Sequence, residues 1–168
     1  MKITFIGGGN MAAALLGGLI RKGQAPAGLR VVELQAEARA RLAAQFGVVC
    51  ADSVAAAAPL GDVVVLAVKP QQMRTAAKAL QPQLGRELVI TIAAGIRLVD
   101  LSRWLGGYAT LVRCMPNTPA LIGAGITGLY AGAAVDAAQR GLAESILGAV
   151  GATLWVAEES MLDPVTAI

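Results

Sequence analysis

The stretch that most narrows what this chain can fold into is "GGGNMA", Gly7 to Ala12, set between "KITFI" and "AALLGGLI". It spells G-x-G-x-x-A directly after a β-like run and at the head of a helical one. Each small residue has a mechanical reason to be there. Gly7 permits the tight turn, Gly9 lets the backbone approach a pyrophosphate, and Ala12 permits close helix–sheet packing. The helix start offers N–H groups without partners, and its positive dipole end, to phosphates. Alone such a motif is weak. Here it has the right flanks and lies near the N-terminus, and an acidic residue, Glu33, follows about 20 residues on, where a carboxylate binds adenosine ribose hydroxyls. The competing reading of the same residues is a glycine-rich turn with an ordinary surface glutamate.

The rest of the chain repeats the alternation. "KITFI", "LRVVEL", "VVC", "DVVVLAV", "ELVITIAAG", "YATLVRCM", "AGITGLY" and "ATLWVAE" read as strands. Between them lie helical stretches, among them "NMAAALLGGLI", "AEARARLAAQF", "SVAAAA", "QQMRTAAKALQPQL", "RLVDLSRWL" and "DAAQRGLAESILGAV". Strands alternating with helices of this length predict βαβ units. The predicted fold class is α/β, a Rossmann-type doubly wound, mostly parallel sheet. A chain of 168 residues suffices for one sizeable domain. That dinucleotide-binding domain is expected over 1–157. Residues 158–168, "EESMLDPVTAI", read as the start of a connecting helix with acid in its first turn.

Composition removes several kinds of chemistry. There is no histidine, which excludes a Ser-His-Asp triad and a histidine metal site. No metal is expected. Cys50 and Cys114 have neither CxxC spacing nor a small-scaffold pattern, and read as reduced thiols. The net charge of +3 is mild and its basic residues are scattered, so nucleic acid is not an expected partner. The longest apolar segment is broken by Pro59 and Asp62, short of the roughly 18 residues that read as a membrane span. No secretory signal opens the chain. A soluble, cytoplasmic protein is expected, whose chemistry belongs to a bound cofactor.

Three more strand ends fall at the edge where open α/β sheets bind ligands. "AVKP", Ala67, Val68, Lys69 and Pro70, ends the fourth strand, although Lys69 also reads as a solvated strand end. "IAA", Ile92, Ala93 and Ala94, ends the fifth, with side chains small enough for a flat ring to approach the backbone. "RCMPNTPA", Arg113 to Ala120, follows the sixth. Its prolines disfavour helix at Met115 and Thr118 and stiffen the loop around one amide, Asn117. Glu158 and Glu159, on the residues alone, read as complements to a helix N-terminus.

In this order and at these spacings, "FIGGGNMA", "AVKPQ", "IAAGI" and "RCMPNTPA" resemble the Δ1-pyrroline-5-carboxylate reductases, over essentially the whole chain. The resemblance implies cofactor binding by Ile6, Gly7, Gly8, Gly9, Asn10 and Met11, by Ala67 to Pro70, and by Ile92 to Ala94. It implies that Asn117 faces the nicotinamide end, and that Glu159, in the family's "EE" segment, lies near the substrate. It also implies hydride transfer from NADPH or NADH to the C=N carbon of a cyclic imine carboxylate, giving proline. A protonated imine is already electrophilic, so positioning can supply most of the acceleration, and no catalytic base is assigned.

The sequence departs from the family in two places. Where members often carry small polar residues that accept an NADP phosphate, this chain has Glu33-Leu34-Gln35. A carboxylate repels a 2′-phosphate and leans toward NADH, which Arg39 or Arg41 could soften. Many members have Ser-Asn where this chain has Ser53-Val54. The family continues with a "GSGPAY"-like segment and a helical dimerisation domain, so Ile168 is read as falling just before it, and the intact protein as a homo-oligomer. Rival readings are another reductase with this domain (a β-hydroxyacid dehydrogenase or a coenzyme F420-dependent NADP reductase), a non-catalytic NAD(H)-binding module, and a purely structural α/β domain.

Overall fold

The computed structural model describes residues 1–163, along which strands and helices alternate. They are β1 (Ile3–Ile6), α1 (Asn10–Arg21), β2 (Leu29–Val32), α2 (Ala36–Phe46), β3 (Val49–Ala51), β4 (Val63–Leu66), α3 (Met73–Leu80), β5 (Leu88–Thr91), α4 (Leu98–Trp104), β6 (Leu111–Met115), β7 (Gly125–Ala131), α5 (Ala137–Leu147) and β8 (Gly151–Trp155). The sheet order is β3-β2-β1-β4-β5-β6-β7-β8. β1 to β6 are mutually parallel, β7 runs against β6, and β8 runs with β7. The first six strands have the order of a doubly wound nucleotide-binding sheet, which reverses direction between β1 and β4. The fold is therefore the expected Rossmann-type α/β class.

Alternation along each strand feeds two cores. Ile3, Phe5, Val63, Val65, Leu88 and Ile90 face Leu15, Leu16 and Leu19 of α1 and Ile146 of α5 on one side. Ile6, Val64, Leu66 and Val89 face Met73, Ala77 and Leu80 of α3 and Leu101 of α4 on the other. A strand buried on both faces is apolar at nearly every position, and β4, "VVVL", is wholly so and sits in the middle of this sheet. The small residues noted in the sequence have a direct use in α1. A Cβ on Gly18 would lie 2.4 Å from the Ala149 carbonyl oxygen, so only glycine lets α1 pack this close to the turn before β8.

Local chemistry sets the element ends. α2 stops at Gly47 in the left-handed region, φ 70°. α5 opens with a capping box: Asp136 Oδ1 accepts from the Gln139 N–H at 2.8 Å and Gln139 Oε1 from the Asp136 N–H at 2.9 Å. "SVAAAA", expected as a helix, forms only a 3₁₀ turn at Ala55–Ala57, with Ser53 Oγ accepting from the Ala56 N–H. Pro59 follows too soon for a longer one. From Glu158 onward a helix is expected; a 3₁₀ turn at Glu159–Met161 comes first, and Leu162, which is buried, and Asp163 follow in helical conformation. Residues 164–168 of that segment lie outside the described residues.

Candidate functional site

The carboxyl ends of β1, β2, β4, β5 and β6 open on one edge, and the sheet's own hydrogen bonds carry on into the loops there. The Gly7 N–H donates to the Val32 carbonyl at 2.8 Å, Ala67 to Ile6 at 2.8 Å, and Ile92 to Leu66 at 3.2 Å. Gly7 has φ 101°, and a Cβ on it would lie 2.7 Å from the Ala67 carbonyl oxygen. A side chain is barred there both by backbone conformation and by space. The glycine turn is thus locked against "AVKP".

α1 begins at that turn, and no side chain caps it. Gly9 is its N-cap in extended conformation, with no acidic residue in the first turn. The first N–H groups of such a helix lack intrahelical acceptors. Nothing lies within 4 Å of where a Gly9 Cβ would be. Uncapped donors, a positive dipole end and open space over a glycine fit an anionic pyrophosphate.

Glu33 is fixed beside the turn. Its Oε1 accepts from the Gly8 N–H at 3.2 Å and its Oε2 from the Gln35 N–H at 2.8 Å. Arg39, weighed as a counter-charge, donates through Nη1 to the carbonyls of Glu33 at 2.8 Å and Leu34 at 2.9 Å. Its guanidinium is engaged with the backbone, while Arg41 is exposed. Further along the edge Ala67, Val68 and Ile92 are half-buried, Ala93 is buried, and Lys69, Pro70 and Ala94 are exposed. Lys69 forms no ion pair among the described residues.

Beyond β6, Asn117 is half-buried and caps a 3₁₀ turn at Thr118–Ile122. Its Oδ1 accepts from the Ile126 N–H at 2.9 Å, which pins the proline-stiffened loop to the first residues of β7. Ala120 of the same loop is buried in the core shared with α1. The loop and the glycine-turn helix are therefore packed as one body.

One charged residue in this region received no role from the sequence. Arg113 stands in the middle of β6 with 1% of its side chain exposed. Its Nη1 donates to Glu159 Oε1 at 3.2 Å and its Nη2 to Asp163 Oδ1 at 3.2 Å. Glu159 Oε1 also accepts from the Leu98 N–H at 2.7 Å. So Glu159 stands in the first turn of its own 3₁₀ segment and also complements the start of α4, far from it in sequence. The signal in the sequence was an arginine inside an apolar interior strand, which demands acidic partners.

The thiols are free. Burial raises the pKa of Cys114, and burial raises that of the half-buried Cys50, with Arg39 partly opposing. Neither is a poised nucleophile. No helix among the described residues is long and apolar enough to cross a membrane.

These features define a Rossmann-type domain with a glycine turn of the dinucleotide-binding kind. Residues 2–95 match the family described as NADP oxidoreductase, coenzyme F420-dependent, and the chain belongs to it. Over its whole length the chain is similar to the pyrroline-5-carboxylate reductases. It is 49% identical over 168 residues to that of Pseudomonas aeruginosa, spanning 99% of this chain and 62% of the relative. The solved pyrroline-5-carboxylate reductase of Coxiella burnetii superposes with a TM-score of 0.94 at 39% identity, covering 99% of this chain and 63% of that one. The Plasmodium falciparum pyrroline carboxylate reductase, solved with NADP bound, shares the fold at a TM-score of 0.83 and 24% identity, over 96% of this chain and 59% of that one. This chain spans less than two thirds of the length of each.

Proposed function

We propose that this chain is the cofactor-binding part of a pyrroline-5-carboxylate reductase, which reduces the C=N bond of 1-pyrroline-5-carboxylate to give L-proline. The observation that carries the reading is the uncapped start of α1 with open space at Gly9, in a chain whose likeness to these reductases runs through "RCMPNTPA". Ile6 to Met11 cradle the pyrophosphate, which takes its N–H donors from the uncapped start of α1, and Glu33 receives the adenosine ribose. Ala67 to Pro70 and Ile92 to Ala94 line the remainder of the nucleotide. Asn117, whose Oδ1 is engaged by Ile126, presents its amide nitrogen to the nicotinamide end. Glu159 borders the imine carboxylate through the edge of its carboxylate that Arg113 leaves open.

NADH or NADPH, when bound, supplies the hydride. The family is one of NADP oxidoreductases, whereas the fixed carboxylate of Glu33 favours an unphosphorylated ribose. The chain's own task is to hold nicotinamide and imine in one geometry, a form of catalysis that needs no side-chain base. In the intact enzyme a helical domain of the kind expected beyond Ile168 completes the substrate site and joins copies into a homo-oligomer in the cytoplasm.

A second reading, a coenzyme F420-dependent NADP reductase, is favoured by the family match, but that match ends at residue 95. Arg113 to Ala120 lie beyond it and inside the reductase likeness. Titration calorimetry with NADH and NADPH, followed by a pyrroline-5-carboxylate turnover assay, tests the proposal. Binding of a nicotinamide nucleotide is expected. Binding of neither would remove the phosphate-site assignment, and turnover only with reduced F420 would favour the second reading.

A further inference from the structure

Arg113 and Glu159 do something that neither the family match nor the reductase likeness describes. Arg113 pairs in register with Thr91, the last residue of β5, so the two strands lie side by side at this point. The loop after β5, residues 92–97, leads straight into Leu98, whose N–H is held by Glu159 Oε1 at 2.7 Å. The same oxygen accepts from Arg113 Nη1 at 3.2 Å. One carboxylate atom therefore joins three separate parts of the chain: the end of the β5 loop, the middle of β6, and the segment after β8. Glu159 is 22% exposed while Arg113 is 1% exposed, so the bond to Arg113 is shielded from water on one side. Such a charge-assisted contact is stronger than a neutral one at the surface.

We infer that Glu159 is a positioning residue for the nicotinamide half of the site: it clamps the β5 loop, with Ile92, Ala93 and Ala94, onto β6. Its action on the nucleotide runs through the Leu98 N–H and Arg113, and requires no contact between its carboxylate and the cofactor. The inference rests on the nucleotide-site reading above. It adds that the grip on the adenosine half, set by Gly7, Gly9 and Glu33, is independent of Glu159, because Gly7 meets Val32 and Ala67 while Glu33 meets Gly8, Gln35 and Ala51, none of which Glu159 contacts.

The test compares two probes on this chain, NADH and ADP-ribose, by titration calorimetry. Glu159→Gln is expected to weaken NADH about tenfold, the equivalent of one charge-assisted hydrogen bond. ADP-ribose is expected to bind as in the unaltered chain. Glu159→Asp keeps the charge but is a methylene too short to reach both Leu98 and Arg113; it should fold readily and lose about threefold for NADH only. Glu158→Gln, at the exposed neighbour, serves as the control. Equal weakening of both probes would mean that Glu159 merely supports the fold, and unchanged NADH affinity in both variants would mean that it positions nothing. Either overturns the inference while leaving the nucleotide site intact. If the unaltered chain bound neither probe, the site reading would fall and the inference with it.

Discussion

The two ends of the binding edge are built differently. Around Gly7 and Glu33 the contacts come from backbone: a glycine at φ 101°, an uncapped helix start, and a carboxylate held by the N–H groups of Gly8 and Gln35. Around Asn117 and Glu159 they come from side chains that tie one element to another, Asn117 to the nearby start of β7 and Glu159 to the distant α4 and β6. The first end is a backbone device, set where the turn between β1 and α1 meets the ends of β2 and β4. The second exists only after β6, β7 and the segment beyond β8 have assembled. The adenosine end should therefore respond to substitution by losing ligand without losing stability, and the nicotinamide end by losing both together.

Gly9→Val breaks the comparison most severely if it fails. The Cβ position at Gly9 is open, so the fold should tolerate valine, while the pyrophosphate loses its approach. An affinity loss of about 100-fold or more for NADH is expected with an unchanged melting temperature, read by calorimetry and thermal scanning. A fall in melting temperature would show that the turn is not a free-standing device. Next in size is Arg113→Met. It leaves Glu159 and Asp163 without their shared cation, and should cost about 2 kcal/mol in urea unfolding, below the 3–5 of a fully buried broken pair because both acids keep access to water.

Glu33→Ser sharpens the contrast at the adenosine end alone. Removing the fixed carboxylate should raise the NADPH-to-NADH affinity ratio about tenfold, with stability unaffected. A constant ratio in paired titrations would show that Glu33 does not meet the ribose. Smallest is Asn117→Ala. It removes the bond to the Ile126 N–H and should cost about 1 kcal/mol in urea unfolding together with some NADH affinity. Loss of affinity without loss of stability would place Asn117 with the backbone device rather than with the side-chain one.

The same division decides what could be read from the sequence. The glycine turn, the buried "VVVL" strand and the stops at Gly23 and Gly47 are written in adjacent residues, and the mostly parallel sheet with its carboxyl-edge loops follows from alternation. The helix expected over "SVAAAA" is a single turn, since the proline that ends it outweighs alanine's helical preference. Asn117 stood out because two prolines flank it, although its hold on Ile126 could not be foreseen. Arg113 was quoted in a motif yet had no partner in view, because Glu159 and Asp163 lie more than a whole βα unit away.

What the sequence determined by itself, then, is the class of fold and the phosphate end of its site, since those depend on short-range sterics: where a Cβ fits, where a helix must stop, which strands are apolar on both faces. Only the tertiary structure decided which carboxylate pairs with the buried Arg113, that β7 turns back against β6, and that Glu159 also reaches the start of α4. A charge buried in a sheet must find its partner wherever the chain returns, and that place is set by packing rather than by proximity in sequence.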